Sequence, residues 1–133
     1  MESKLVDIFL KVEVKEKTMI AHLQFSSHGA KKIYLDEQTI CFDNRTRGDY
    51  FLIKNSNGKI VDYTGMMVKR EINPEYFITL NPGEIVETTI NLNEVYEIKK
   101  GKKYTIQYST YHPHYLDEQD FCKIESNVVE VPF

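Results

Sequence analysis

Turn signals recur at short intervals through residues 50–108, and this spacing constrains the fold more than any other feature of the sequence. Asn57-Gly58 and Pro82-Gly83 separate short stretches that are rich in β-branched and aromatic side chains. Asn-Gly favours a tight hairpin because both residues tolerate positive φ, and Pro-Gly favours a type II turn. No helix of useful length fits between these turns, so the pattern predicts an antiparallel β-sandwich.

Apolar and polar side chains alternate along most of the chain, and this alternation predicts eight or nine strands. Residues 5–14 and 19–26 form an opening hairpin with a turn at 16–18. The first strand carries apolar side chains on one face at every second position: Val6, Ile8, Leu10, Val12 and Val14. Later strands are predicted at residues 31–35, 50–54, 59–63, 76–80, 85–92, 104–111 and 121–131, with 39–42 as a further candidate.

Size and composition favour one domain. A chain of 133 residues with 41% hydrophobic residues is long enough for a single core and is an ordinary globular sequence. Nine Tyr and seven Phe with no Trp suit pleated, half-buried surfaces. The predicted fold is therefore all-β: an immunoglobulin-like antiparallel β-sandwich of seven to nine strands that occupies residues 1–133.

The charge pattern argues against two classes of partner. The formal net charge is -3, and Lys and Arg are spread along the chain with no basic block, so we expect no nucleic-acid partner. No window is long and apolar enough to cross a bilayer, and the first ten residues lack the apolar run of a secretion signal. We expect no membrane partner, and a cytoplasmic location if Met1 is the native start. A removed signal would make the location secreted or periplasmic.

The sequence lacks the spaced motifs that mark common catalytic and phosphate-binding sites. The sequence has no His-Glu-x-x-His helix, no Gly-rich phosphate loop and no Gly-x-Ser-x-Gly elbow, so we expect no catalytic residues and no cofactor. Cys41 and Cys122 are the two cysteines, and free thiols are favoured over a disulfide. Cys41 is predicted to be a buried strand residue, because no His or electropositive setting that would activate a thiol accompanies it.

His112-Pro113-His114 is the nearest approach to a metal site. Residues two apart on a strand share a face, so both imidazoles could reach one ion. A third and fourth ligand are not apparent, and an exposed loop stiffened by Pro113 is the favoured alternative. The whole stretch 111–121 combines Tyr, His, Pro and acidic residues, a composition typical of recognition loops. The candidate partner contacts in it are Tyr111, His112, His114, Tyr115 and Asp117.

A basic pair and a repeated pentapeptide each have a functional and an ordinary interpretation. Lys69-Arg70 could contact the carboxylates of a partner, and ordinary surface charge is the favoured alternative. Residues 34–38 and 115–119 share the pentapeptide Tyr-Leu-Asp-Glu-Gln. Their separation and different flanks argue against a structural repeat, so two unrelated acidic loop segments are favoured over a shared binding role.

A series of motifs in the C-terminal part of the chain resembles a known family. The motifs are Tyr63-Thr64-Gly65, Lys69-Arg70, Leu80-Asn81-Pro82-Gly83-Glu84, Leu92-x-x-x-Tyr96, Gly101-x-x-Tyr104-x-Ile106 and Ser126-Asn127-Val128. They resemble the immunoglobulin-like domain that precedes the catalytic domain in fungal and bacterial lysine-specific, deuterolysin-like metalloendopeptidases. In that family the domain is a propeptide, and the zinc helix of the family's catalytic domain is missing from this sequence. The sandwich is also broadly similar to intracellular proteinase inhibitors.

The resemblance implies a free-standing relative of a pro-domain. The leading hypothesis is a non-catalytic protein-binding module that inhibits a metallopeptidase or neutralises a toxin peptidase as its immunity protein. The end loop at residues 111–120 would block the partner's cleft, and the chain would be a monomer or a weak dimer paired through an exposed strand edge. The alternatives are a structural or adhesion-type domain with no protease partner, and a metal-binding sandwich that uses His112 and His114.

Overall fold

Strands and turns make up the part of the chain that the structure, a computed structural model, describes, which is residues 6–69, 73–115 and 117–133. In these ranges the strands are β1 (Val6–Lys15), β2 (Thr18–Ser27), β3 (Ile33–Asp36), β4 (Phe51–Asn55), β5 (Phe77–Leu80), β6 (Ile85–Asn91), β7 (Lys103–His114), β8 (Asp117–Glu125) and β9 (Val129–Pro132). Short 3₁₀ turns span Pro74–Tyr76 and Leu92–Glu94. Within the same ranges no helix has the length and apolar character needed to cross a bilayer. The predicted all-β sandwich is confirmed.

β7 is the centre of the larger sheet. β4 pairs antiparallel with residues 104–108 of β7 on one side, while β9 pairs with residues 103–106 and β8 with residues 109–114 on the other side. An antiparallel sheet in the order β1-β2-β6 packs against it, and β3 and β5 form a separate two-stranded sheet. The prediction that residues 104–111 form a central strand is therefore confirmed.

The core lies between the two larger sheets and follows the predicted alternation. Phe25 of β2 and Tyr108 of β7 are fully buried, and their rings meet edge to face at a centroid distance of 5.7 Å. Phe51 of β4 adds a third ring at 5.6 Å from that of Tyr108. Burial of each large aromatic or aliphatic side chain contributes about 1.5–3 kcal/mol. The other buried hydrophobic residues that line this core in the three strands are Met19, Ala21, Leu23, Ile53, Tyr104 and Ile106.

Residues 39–42 form a turn and not the predicted strand. The Asp36 carboxylate fixes this turn, because its Oδ2 accepts a hydrogen bond from the Thr39 N–H at 3.1 Å and another from the Thr39 hydroxyl. Such a side-chain bond to nearby backbone offers the chain an alternative to a sheet ladder. Cys41 has a φ of 57°, a left-handed value that a strand does not contain. Cys41 is buried as predicted, and its assignment to a strand is wrong.

Residues 59–63 follow the predicted turn at Gly58 and do not form a strand. The Asn55 side-chain oxygen closes the turn by accepting hydrogen bonds from two backbone N–H groups, at 2.9 and 3.0 Å. After the turn, single β-bridges join the segment to Lys54 and to Tyr96. The segment therefore leaves β4 and crosses toward the turn that follows β6.

The predicted closing strand at residues 121–131 is interrupted at Ser126 and Asn127. The Ser126 hydroxyl accepts a hydrogen bond from the Tyr108 N–H at 3.0 Å, so a side chain replaces a ladder carbonyl there. Asn127 instead pairs with the edge of β1. Its Oδ1 accepts from the Leu10 N–H at 2.7 Å, and its Nδ2 donates to the Leu10 carbonyl at 3.0 Å. This amide occupies backbone groups through which a second copy could otherwise pair.

Candidate partner-binding surface

The predicted recognition loop at residues 111–120 is the end of a β-hairpin. β7 continues to His114 and β8 begins at Asp117, so the expected exposed loop is wrong. The strand is longer than expected because residues 109–114 of β7 pair with β8. Tyr111 is on the outer face of β7 and is exposed, while Asp117 begins β8 and its side chain lies outside the described part.

His112 is a core residue, and the expectation that it contacts a partner is wrong. Its side chain is 1% exposed, and its Nε2 accepts a hydrogen bond from the Asp36 N–H at 2.8 Å. An accepting ring nitrogen carries no proton, so this bond fixes a neutral imidazole protonated at Nδ1. The Phe77 ring packs edge to face on the imidazole at 6.0 Å. The bond ties β7 to the end of β3.

The shared face predicted for His112 and His114 is also wrong. The pairing register of β7 with β8 shifts between Pro113 and His114, and His114 is exposed where His112 is buried. A bulge of this kind rotates the side chains that follow it. In the described ranges, no group of three or more His, Cys, Asp and Glu side chains is placed to hold a metal ion.

Tyr115 closes the hairpin end on β3. Its ring stacks on that of Tyr34 with a centroid distance of 4.2 Å and an interplanar angle of 13°, and Phe77 packs against it at 5.2 Å. Tyr34 and Tyr115 begin the two copies of the shared pentapeptide. The expectation that the copies are unrelated acidic loop segments is wrong for the first copy, because Tyr34 and Asp36 belong to β3.

A second region, not singled out as a site by sequence, opens beside the end of the β3–β5 sheet. It is a half-open cleft of about 310 Å³. We call it the cleft. Its lining residues are Asp36, Glu37, Gln38, Phe42, Asp43, Arg47, Val68, Lys69 and Tyr76. Lys69, one of the two predicted cationic contacts, is among them, and Arg70 lies outside the described residues.

The wall of the cleft at residues 37–43 is anchored to the core. Thr39 is fully buried, its N–H and hydroxyl both donate to Asp36, and its carbonyl accepts from the Tyr108 hydroxyl at 2.5 Å. The Glu37 N–H donates to the Tyr76 carbonyl at 2.8 Å and joins this wall to the start of β5. Because buried polar groups are paired with the central strand, the cleft wall has a fixed shape.

Residues 66–68, which we call the strap, lead into the cleft lining at Val68 and are tied at both ends. The Tyr63 hydroxyl donates to the Met66 carbonyl, and the Val68 N–H donates to the Arg47 carbonyl at 2.9 Å. Gly65, which lies between Tyr63 and Met66, has no room for a side chain unless its neighbours shift. A Cβ atom there would lie 2.7 Å from the Tyr63 hydroxyl oxygen and 2.8 Å from a methyl group of Val95.

The ordered backbone of the strap carries exposed apolar side chains. Met66 and Met67 are 64% and 71% exposed, the highest values among the large hydrophobic residues in the described ranges. Phe42 and Tyr76 in the cleft lining are 45% and 41% exposed. Clustered exposed apolar side chains on an ordered surface are typical of protein interaction sites, whereas single ones are ordinary.

Charges in the cleft are only partly neutralised. Arg47 makes a two-pronged ion pair with Asp43, with nitrogen–oxygen distances of 2.5 and 3.1 Å. The hydrogen bond from Arg47 lowers the pKa of the Asp43 carboxyl below its ordinary value. Within the described part, Lys69 and Glu37 make no ion pair. Among the described residues, the cleft therefore offers a cation without an ion partner beside apolar side chains.

Cys41 lies behind the cleft wall and is not a nucleophile. Burial raises the pKa of its thiol to about 12, against a smaller lowering by a hydrogen bond with Thr46. A thiol with this pKa stays protonated near neutral pH. Cys122 is exposed on β8, and the two cysteines form no disulfide, as predicted.

The sequence comparisons give a limited similarity to proteases. No family model matches the chain. Over 72 residues, the chain is 32% identical to a probable neutral protease 2 homolog B of Trichophyton rubrum and 33% identical to a neutral protease 2 homolog of Arthroderma gypseum. The matched stretch is 52% of this chain and 19% of either relative. The chain therefore resembles a fragment of these proteases, which is consistent with the predicted relation to a pro-domain.

Proposed function

We propose that this chain is a non-catalytic binding module that associates with a peptidase and hinders it sterically. The strap and the cleft carry the proposal. There an ordered backbone presents exposed apolar side chains next to Lys69, which has no ion partner in the described part of the chain. The similarity to a fragment of neutral proteases supports a peptidase as the partner class. An inhibitor and an immunity protein would use the same steric mechanism on different peptidases.

The reactive groups near the cleft support a binding role over a catalytic one. The Cys41 thiol is buried and protonated, and one oxygen of the buried Asp36 carboxylate is bonded to Thr39. Neither group is exposed to a substrate in the cleft. By contrast, the exposed side chains there offer contact area, and methionine adapts to irregular apolar surfaces at low cost.

Binding to a purified peptidase tests the proposal. The chain would be immobilised and titrated with an active neutral protease 2 homolog, and cleavage of a protein substrate would be followed in parallel. We expect saturable binding and a dose-dependent loss of cleavage, with trypsin as a control that neither binds nor loses activity. Absence of binding up to about 100 μM would contradict the proposal. Binding without loss of cleavage would support a peptidase-binding module and contradict the inhibitory role.

A further inference from the structure

We infer that the strap and the cleft together contact the peptidase, through a partner segment that carries an apolar side chain next to a carboxylate. The inference rests on the proposed function and assigns the surface that performs it. It names the strap in place of the hairpin end at residues 111–115, which the sequence favoured. It also gives Lys69 a specific role, which is to pair with the partner carboxylate.

Little free energy is needed to order the strap backbone when a partner binds. Three hydrogen bonds hold the strap backbone: Tyr63 donates to Met66, the Val68 N–H donates to Arg47, and the Gln38 side chain donates to the Val68 carbonyl at 3.4 Å. A partner therefore does not have to immobilise this backbone when it binds, and more of the contact energy appears as affinity. Met66 and Met67 still keep mobile thioether side chains that can fit an apolar side chain of the partner.

The charged side chains of the cleft favour a partner segment with a carboxylate near Lys69. Asp43 neutralises Arg47 within the cleft, whereas Lys69 has no ion partner among the described residues. An unpaired ammonium beside an apolar surface favours a carboxylate on the incoming segment. Glu37 also lines the cleft and has no ion partner within the described ranges, so the surface discriminates between charges. A segment with a carboxylate at Lys69 is favoured, and one that places a carboxylate at Glu37 is disfavoured.

The relatives that the chain matches are named as proteases. Their matched stretch belongs to a longer chain named as a protease, of which it makes up 19%. A surface of this module that packed on the rest of such a chain would meet a folded peptidase body. We therefore commit to a peptidase as the occupant, in preference to a second copy of this chain.

Two variants test the assignment and two serve as controls, with the Trichophyton rubrum neutral protease 2 homolog as the probe. Replacing Met66 and Met67 together by Ser, or Lys69 by Glu, is expected to weaken binding about tenfold or more, mainly through faster dissociation. Lys69→Arg keeps the charge and is the matched control, with binding expected within about twofold of the original chain. Tyr111→Ala removes an equally exposed side chain on the hairpin and should leave binding unchanged.

The outcomes separate this inference from the proposed function. If the original chain does not bind the protease, the proposed function fails, and this inference fails with it. If the original chain binds and the strap variants bind equally well, the surface assignment is overturned while the proposed function stands. Weaker binding by Tyr111→Ala alone would move the site to the hairpin. Self-association of the free chain that the double Met variant abolishes would show that the occupant is a second copy, and would also overturn the inference.

Discussion

The hairpin end at residues 111–115 and the strap adjoin the same two-stranded sheet but use their large side chains in opposite ways. At the hairpin end, His112 is buried against β3 and Tyr115 stacks on Tyr34. At the strap, the backbone is held by hydrogen bonds and the apolar side chains remain exposed. The hairpin has the composition of a recognition loop, yet the side chains of His112 and Tyr115 pack within the fold. Composition alone therefore does not identify a recognition surface, because the same residue types serve packing or binding according to which way they face.

The largest expected contrast is in thiol reactivity, since Cys41 supports the cleft wall and Cys122 is exposed on the hairpin strand β8. Burial raises the pKa of Cys41 from 9.0 to about 12, which corresponds to about a thousandfold less thiolate. We expect one thiol to react rapidly with a disulfide reagent near pH 8 and the second to react only after unfolding. Cys122→Ser should remove the rapid phase. Two rapid phases in the native protein would contradict the packed cleft wall.

The next contrast is in stability at two histidines of β7. His112→Ala is expected to lower the free energy of unfolding by about 2–4 kcal/mol, because it leaves a cavity and an unpaired Asp36 N–H group. His114→Ala is the matched control on the same strand and should change it by less than about 0.5 kcal/mol, because His114 is exposed. Denaturant unfolding of both variants measures the difference. Equal losses would mean that the hairpin end is not packed as described.

The two histidines also illustrate which parts of the fold could be predicted from the sequence. The strands of the opening hairpin and β7 were predictable, because apolar residues alternate along them. The burial of His112 had a readable signal, since it continues the series Tyr104, Ile106, Tyr108 at even spacing. Its role was missed because the strand was predicted to end at residue 111, which placed the histidine in a loop.

The cleft was not predictable from local patterns. Its wall depends on the Tyr108 hydroxyl, which donates to the Thr39 carbonyl from 69 positions away in the sequence. The turn at residues 39–42 looks like a strand because it is apolar. The Asp36 side chain and local backbone hydrogen bonds hold it as a turn. The strap did carry a weak signal. Two adjacent methionines after Tyr63-Thr64-Gly65 break the alternation that a buried strand requires.

Gly65→Ala tests whether close packing at this glycine positions the strap. The added methyl group would crowd the Tyr63 ring and Val95, so we expect a loss of about 1–3 kcal/mol in the free energy of unfolding. We also expect weaker partner binding, because a displaced Tyr63 hydroxyl no longer holds the Met66 carbonyl. Unfolding and binding should be measured on the same preparation. An unchanged unfolding midpoint would show that the step tolerates a side chain and that the strap is held by other contacts.

A smaller effect is expected from the tyrosine stack at the hairpin end. A double-mutant cycle with Tyr34→Leu and Tyr115→Leu should give a coupling energy of about 0.5–1.5 kcal/mol, the range for paired aromatic rings. The parallel cycle with Met66→Ala and Tyr34→Leu provides the control, since no contact joins those residues in the structure. If the effects of Tyr34→Leu and Tyr115→Leu on the free energy of unfolding are additive, the ring stack does not couple the two copies of the pentapeptide.

The smallest effect concerns the ion pair in the cleft. The pKa of Asp43 is lowered in the folded chain, chiefly by the hydrogen bond from Arg47, so the pair stabilises the fold above the unfolded pKa of about 3.9. That stability is lost as pH falls through the lower, folded pKa. Because more than a third of the Asp43 side chain is exposed, the contribution should not exceed about 0.5 kcal/mol.

The comparison of Asp43→Asn with the original chain measures this contribution. The difference in unfolding free energy should be present near pH 7 and vanish near pH 2, where the carboxyl is protonated in both folded and unfolded chains. Asp62→Asn is the control, because Asp62 is exposed and forms no ion pair within the described ranges. Asp43→Asn also frees Arg47 as a second cation beside Lys69. Association with an acidic partner segment should therefore become faster at low salt. Slower association would contradict the charge assigned to the partner, because that assignment requires added positive charge to attract it.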